Sequence, residues 1–467
     1  MRQKIIRTRF APSPTGFLHL GGARTALFSY LFAKHYNGKF YLRIEDTDLK
    51  RSTNEAIQAI FTGLDWLNIQ YDDKVVYQSK RKAIYQQWIE KLLQENKAYR
   101  CYCSKDRLTK LREQQLKQKL KPKYDGHCRD LPDQTTQKYV IRFKNPQTDH
   151  VIFDDLILGT IKINNFELDD LIIQRQDGSA TYNFTVVVDD CLMQISHVIR
   201  GMDHINNTPR QINLMQALGF NIPKYAHVPL IYSDDGQKLS KRHGAISVMT
   251  YQELGILPEA LLNYLLRLGW SHGNQEIFSQ HEMIKLFNIT NLSKSASRFD
   301  MQKLLWLNKH YLQNIDDEYL TNLFVQQLSK LNIATKKDTH IKQIIELQRK
   351  RCDNIVMMAE QSIYFFQQPQ NIDTTLLQQY IFNNKTLLQE ILEIFTHIKN
   401  IEWQQPQIIS QCLKTFVKTK DIKFKQLAQA LRVAIAGTIE TPAINIIISL
   451  IEKNVVLQRL KNILRQI

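Results

Sequence analysis

The chain has little that would make it fibrous, disordered or membrane-spanning. Among 467 residues only 16 are glycine and 12 proline, while 43% are hydrophobic and 10% aromatic. That excludes a collagen-like repeat and a wholly disordered chain, neither of which buries an apolar core. A membrane span needs ~20 apolar residues. The longest apolar run of the C-terminal region, Ala443–Ile451, is broken by Asn445 and Ser449. The first ten residues mix charge with apolar side chains and lack the apolar centre of a secretory signal. A soluble cytoplasmic protein without membrane contact is therefore expected. The six cysteines do not read as a disulfide framework, which belongs to small secreted chains. Cys191, Cys352 and Cys412 read as small core residues, whereas Cys101, Cys103 and Cys128 cluster as metal ligands do. Acidic residues are also few, 45 against 62 Lys and Arg, which leaves a formal charge of +17. Of that excess, +12 falls in residues 1–312 and +5 in 313–467. A basic surface favours polyanions, because each neutralised phosphate releases counterions.

At ~100–200 residues per domain the length suggests two to four domains. The first half alternates strand-like and helix-like segments. Ile6, Thr8 and Phe10 share one face of a strand over Lys4–Phe10. A Gly/Pro-rich loop, Ala11–Gly22, follows. Ala23, Ala26, Leu27, Tyr30 and Leu31 then fall at helical spacing, and Asn37-Gly38 ends that helix. Phe40, Leu42 and Ile44 make the next strand, so a βαβ unit and a parallel sheet are expected. Near residue 100 the character changes to cysteines and a basic helical stretch, Lys105–Lys123, with eight Lys/Arg. Short strands follow at Tyr139–Phe143 and Val151–Phe153, as an insertion between the halves of the sheet would give. Strands are expected again at Phe184–Val188, His197–Arg200 and Val228–Tyr232, the last running into a turn at Ser233–Gly236. Beyond about residue 250 the pattern is helical, as in Glu318–Leu331 and His340–Phe366.

Two segments suggest phosphate chemistry. Pro12–Gly22 lies between the first strand and the first helix, where a parallel sheet binds ligands. Gly21 and Gly22 leave no side chain to obstruct backbone approach, and a helix N-terminus there favours an anion. His19 adds a donor. Further on, Lys238, Lys241, Arg242 and His243 crowd a stretch suited to closing over a polyphosphate, where flexible Lys charges meet developing negative charge.

These segments carry a resemblance. PSPTGFLHLGGAR, RIEDTD (Arg43–Asp48), LDDLIIQRQDGSATYNF (Leu168–Phe184), HVIRGMDHINNTPRQ (His197–Gln211) and KLSKRHG are similar, in that order, to the bacterial glutamyl-tRNA synthetases, class I aminoacyl-tRNA synthetases. The likeness runs from about Arg7 to Trp306 and continues more faintly to the C-terminus. It implies an α/β fold, with a Rossmann-type parallel-sheet catalytic domain, an inserted acceptor-binding domain and an all-α C-terminal anticodon-binding cage. The boundaries expected are 1–99 and 191–312 for the catalytic halves with a linking helical region, 100–190 for the insertion and 313–467 for the cage. Tyr364, Phe365 and Trp403 in the cage are read as core rather than as base-stacking platforms.

The resemblance implies a glutamate–tRNA ligase that forms glutamyl-adenylate from glutamate and ATP and passes the glutamyl group to tRNA(Glu), acting as a monomer. His19, Gly21, Gly22 and Lys241 are assigned to ATP, which brings Mg²⁺, and His19, Lys238 and Lys241 to catalysis. Arg9, Ser13, Glu45, Tyr182 and Arg200 are assigned to glutamate, with Glu45 on its ammonium and the arginines on carboxylate. Arg43 and Asp46 are read as a surface ion pair. One structural zinc is expected on Cys101, Cys103 and Cys128, with Asp130 as fourth ligand and adjacent His127 as its competitor. Gly22 stands where the general class I motif has a second His, and Met202 where the family often has Glu. Two other readings are glutamylation of a non-cognate or modified tRNA and a non-catalytic tRNA-binding paralogue. Intact His19, Glu45, Arg200 and Lys241 argue against the second.

Overall fold

The computed structural model describes residues 5–48, 51–132, 138–233, 236–237 and 247–466. They divide into two compact units, Met1–Glu253 with Pro258–Leu304, and Leu254–Leu257 with Leu305–Ile467.

The first unit opens with strand β1 (Arg7–Phe10), the helix Leu20–His35 and strand β2 (Lys39–Ile44). β1 and β2 pair in parallel, Arg7 opposite Lys39 and Phe10 opposite Leu42, so the expected βαβ unit is present. The Asn-Gly pair makes the return possible. Asn37 adopts a left-handed φ of 51°, and a Cβ on Gly38 would collide with the Ile6 carbonyl. Only glycine lets the chain pass that close to β1. β3 (Val76–Tyr77) extends the sheet parallel to β2.

The stretch expected to be an insertion splits between two sheets. β4 (Ala98–Cys101), β5 (Val140–Phe143) and β8 (Ile172–Gln174) form an antiparallel sheet of their own. The hairpin of β6 (His150–Asp155) and β7 (Gly159–Asn164) joins β9 (His197–Gly201) and β10 (Lys224–Val228) in the order β7-β6-β10-β9. β10 runs parallel to both its neighbours. Ser196 at the start of β9 is tied to β1, its N–H donating to the Arg7 carbonyl at 2.9 Å. A short parallel pair, β11 (Ile231–Tyr232) with β12 (Ser297–Arg298), completes the strands among the described residues.

One expected strand is a helix. Phe184–Val188 lies inside the helix Tyr182–Leu192, in which every residue from Phe184 to Asp190 is buried. A short, continuously apolar, β-branched run has no periodicity to separate a buried strand from a buried helix. Packing decides here: Phe184, Val187 and Val188 join Tyr85, Ile89, Leu92 and Met215 in one core.

The second unit is helical throughout its described residues. Its helices include Asp317–Lys330, Thr339–Gln348, Lys385–His397, Pro406–Thr419, Phe424–Ala436 and Lys453–Arg465. The stripe over His340–Phe366 is broken into three helices, the later two at Ile355–Glu360 and Ile363–Phe366. Tyr364, Phe365 and Trp403 are core residues, and Trp403 donates its indole N–H to the Ile451 carbonyl at 2.9 Å. Cys352 is buried, whereas Cys191 and Cys412 are only partly so. No described helix is long and apolar enough to cross a membrane.

Candidate active site

β1, β2 and β9 run their carboxyl ends toward one cleft of about 470 Å³ in the first unit. The loop Ala11–Gly22 forms one wall, held by the Glu45 N–H donating to the Pro12 carbonyl at 3.0 Å. Arg9, Ser13, His19, Gly21, Gly22, Glu45, Tyr182 and Arg200 all line it, so eight separately assigned residues share one cavity.

His19 is the N-cap of the helix Leu20–His35, its Nδ1 accepting the Gly22 N–H at 3.2 Å. This ring therefore satisfies one of the donors a helix start leaves open. The same ring and its neighbour crowd the space beside the two glycines. A Cβ on Gly21 would stand 3.3 Å from the His19 imidazole, and one on Gly22 would stand 3.2 Å from Leu18 Cδ1.

Behind the cleft lies a buried charge network that sequence reasoning missed. Arg43, read as a surface residue, has a fully buried side chain, in a stretch of β2 where Leu42 and Ile44 on either side are buried as well, so both faces of the strand are covered here. Its Nη1 donates to Asp190 at 2.6 Å and its Nη2 to Glu45 at 3.1 Å. Arg9 also grips Asp190, through Nε at 3.0 Å and Nη2 at 3.3 Å. Asp46, likewise buried, accepts from the Ser79 N–H at 2.8 Å and hydroxyl at 2.6 Å. Asp190 sits beside the misread Phe184–Val188 run, so nothing local marked it as the hub. Burial opposes the Asp190 charge, but Arg43 and Arg9 outweigh it and hold the carboxyl below its ordinary range. At Glu45 burial wins and raises the carboxyl, despite Arg43 and Arg9.

Arg200 differs from these arginines. It is buried, yet its side-chain partners are neutral: Thr208 Oγ1 at 2.7 Å from Nη2 and His227 Nε2 at 3.2 Å from Nε. Its Nη1 is buried with no hydrogen-bond partner among the described residues. Desolvation lowers its pKa, which marks a cation lacking a matching anion. Tyr182 stands nearby, its hydroxyl 3.1 Å from His204 Nδ1. Burial, then the Arg200 charge, pushes His204 down to about 4, so it is neutral at physiological pH.

Lys238 and Lys241 lie outside the described residues. The chain on either side adjoins the cleft: Ile231 lines it, and Ser247 makes a backbone bridge to His19. On the described residues of the expected turn, the Gly236 N–H donates to the Ser233 carbonyl at 2.9 Å.

The cysteine cluster forms, but not with Asp130. The sulfurs of Cys101, Cys103 and Cys128 lie within 4.8 Å of one another. The fourth polar atom among them is the Tyr124 hydroxyl, 3.4 Å from Cys101 Sγ and 3.6 Å from Cys103 Sγ. It also accepts the Cys128 N–H at 2.9 Å. The Asp130 side chain is 87% exposed and instead faces Lys144 at 3.7 Å. His127 is exposed too. The family resemblance placed Asp130 two residues past a ligand, whereas here the Tyr124 hydroxyl is the group that meets the cysteines. The three thiols are the soft, closely spaced donors that zinc accepts, and the Tyr124 phenol, kept protonated by burial, is a hydrogen-bond partner beside them.

Comparison with known proteins gives the family. Residues 5–306 match the model of the class I tRNA synthetase (E and Q) catalytic domain, and residues 318–464 that of an anticodon binding domain. A glutamate–tRNA ligase of Coxiella burnetii is 49% identical over 463 residues, covering 99% of this chain and 98% of that protein. One from Francisella tularensis is 48% identical over 467 residues, covering 99% of this chain and all of its own. The crystal structure of a glutamate tRNA ligase from Elizabethkingia meningosepticum, in complex with its amino acid, superposes with a TM-score of 0.89 at 30% identity, covering 99% of both chains. With its catalytic domain matched throughout and relatives near half identity aligned end to end, the chain belongs to the class I tRNA synthetases of the E and Q group.

Proposed function

We propose that the protein ligates L-glutamate to tRNA(Glu) through a glutamyl-adenylate. The observation that carries this is Arg200, a buried guanidinium on the cleft whose side-chain partners are neutral and whose Nη1 has no hydrogen-bond partner among the described residues. Glutamate carries one ammonium and two carboxylates, and its side-chain carboxylate supplies the acceptor that this guanidinium lacks. Glutamine is neutral and would set an amide NH₂ against a buried guanidinium, leaving donors unpaired, a loss that supports strong discrimination.

Arg200 receives the side-chain carboxylate, with Tyr182 donating its hydroxyl. Arg9, whose charge Asp190 already balances, adds N–H donors rather than net charge. Glu45, hydrogen-bonded by Arg43, takes the ammonium, and Ser13 hydrogen-bonds the backbone end of the substrate. The α-carboxylate oxygen then forms a bond to the α-phosphorus of ATP as the bond to pyrophosphate breaks. His19, Gly21 and the helix start beneath them hold the phosphates, and Mg²⁺ accompanies the nucleotide. Gly22 serves mainly by having no side chain, since its N–H is engaged by His19. The assignment of Lys238 and Lys241 to the developing charge rests on the sequence motif. Such catalysis is positioning and electrostatics, with no protein nucleophile. The tRNA 2′-hydroxyl next attacks the adenylate carbonyl carbon, and AMP leaves.

Residues 100–190 are assigned to the acceptor end and 313–467 to the anticodon, around a catalytic body of 1–99 and 191–312. The protein acts as a monomer. Zinc would be held by Cys101, Cys103 and Cys128 with Tyr124 beside them, tying β4 to the loop that follows the basic helix. The test is pyrophosphate exchange with glutamate or glutamine, with and without tRNA. Glutamate-dependent exchange at least ~100-fold above that with glutamine is expected; equal rates would overturn the reading.

A further inference from the structure

The side chains behind Arg200 are not explained by contact with substrate. Adjacent strands β6, β10 and β9 each contribute one member of a polar row: Asp155, His227 and Arg200. His227 stands directly opposite Arg200 in the β10–β9 register. The side chains of Asp155 and His227 are wholly buried and line no part of the cleft. Asp155 Oδ2 is 2.7 Å from His227 Nδ1 and accepts the His227 backbone N–H at 3.0 Å. Its Oδ1 accepts the N–H groups of Ile157 and Leu158, each at 2.9 Å. At the far side of the ring, Nε2 lies 3.2 Å from Arg200 Nε and 2.9 Å from Thr208 Oγ1.

These contacts fix the tautomer. A guanidinium only donates, so Nε2 must present its lone pair to Arg200. The ring proton then sits on Nδ1, held by a carboxylate whose other oxygen is already engaged. Thr208 Oγ1 accepts from Arg200 Nη2 and so holds a second point of the guanidinium. Burial lowers the His227 pKa, with Asp155 opposing and Arg200 reinforcing the shift, so the ring is neutral. Arg9 and Tyr225 are the other charged or ring-bearing neighbours. The consequence is specific. A carboxylate directly on Arg200 would orient it but cancel its charge. A neutral imidazole backed by a carboxylate orients the guanidinium and leaves its charge for the substrate.

We infer that Asp155 and His227 are a positioning pair that sets the guanidinium plane of Arg200 for the substrate carboxylate. This rests on the reading of Arg200 as a glutamate ligand. The experiment measures KM for glutamate, KM for ATP and kcat in tRNA-supported pyrophosphate exchange for the full-length protein, with thermal unfolding as a folding check. His227→Asn keeps an N–H toward Asp155 and removes the acceptor toward Arg200. His227→Gln places an amide oxygen near the position of Nε2. Thr208→Val removes one Arg200 partner at constant volume.

The expected result is a glutamate KM raised about tenfold in His227→Asn and about threefold in Thr208→Val, with kcat and the KM for ATP within about twofold. His227→Gln should recover most of the loss. A folded His227→Asn protein with unchanged glutamate KM overturns the pair, as does a parallel change in all three parameters. Where His227→Asn does not fold, an unchanged glutamate KM in Thr208→Val overturns it. Arg200→Gln separates the two readings. If it leaves the glutamate KM unchanged, the reading of Arg200 itself fails. If it raises that KM and His227→Asn does not, only the positioning role fails.

Discussion

Asp190 shows how one side chain can govern a site it does not line. It accepts from Arg9 and from Arg43, and Arg43 in turn holds Glu45. Removing its charge would leave Arg9 and Arg43 with only Glu45 to balance them, and breaking a buried pair costs roughly 3–5 kcal/mol. Asp190→Asn should therefore lower stability by about that amount in urea unfolding and raise the glutamate KM. A folded variant with normal stability would show that the network is dispensable. Glu45 supplies a pH prediction. Burial raises its folded pKa above the ordinary value, whereas Arg43 and Arg9 hold Asp190 below its own. As pH falls, Glu45 protonates first and loses its attraction for the substrate ammonium. The glutamate KM should rise on acidification while the KM for ATP stays level, before any loss of fold. Asp190 stabilises the fold above its unfolded pKa, and that contribution is lost only as pH drops through its lower folded value. A glutamate KM flat across the acid limb would exclude Glu45 as the ammonium partner.

At the scale of the element, the turn carrying Tyr124 and Cys128 replaces a spacing rule with geometry. The cluster of Cys101, Cys103, Cys128 and Tyr124 predicts about one zinc per chain by elemental analysis of protein prepared without chelator. Cys103→Ser should lose the metal and Asp130→Ala should keep it, since Asp130 is solvent-exposed. Metal lost on Asp130→Ala would restore the ligand set that spacing suggests. The helix Tyr182–Leu192 makes a similar point. Its Phe-Thr-Val-Val-Val run has strand-forming residues, yet a helix buried on all sides satisfies its own backbone and tolerates them.

Across the whole molecule, the two portions of different patterning carry the same sign of excess charge, +12 in residues 1–312 and +5 in 313–467. Both should neutralise phosphates of one tRNA. The log of tRNA affinity for the full-length protein should then fall linearly with log salt. Changing the anticodon should weaken tRNA binding several-fold without altering KM for glutamate or ATP, because unpaired bases are read individually and away from the amino acid. Equal affinity for both tRNAs would remove anticodon reading from the helical unit.

The sequence by itself determined the βαβ start, the helical second half and the composition of the cleft. Those follow from periodicity, from glycine at positions no other residue fits, and from motifs whose chemistry needs particular side chains in order. Eight assigned residues line one cavity because each lies on a strand end or loop that the parallel sheet gathers. Only the tertiary structure decided the rest. Arg43 and Asp190 are 147 positions apart, and no local pattern says that they meet. Tyr124 rather than Asp130 meets the cysteines, and no local pattern says that it does. The state of His227 depends on what faces each ring nitrogen across three strands, Asp155 on one side and Arg200 on the other. Local sequence sets which groups exist and which elements they ride on. Long-range burial sets which of them are neutral, which are charged, and which are left a charge to offer.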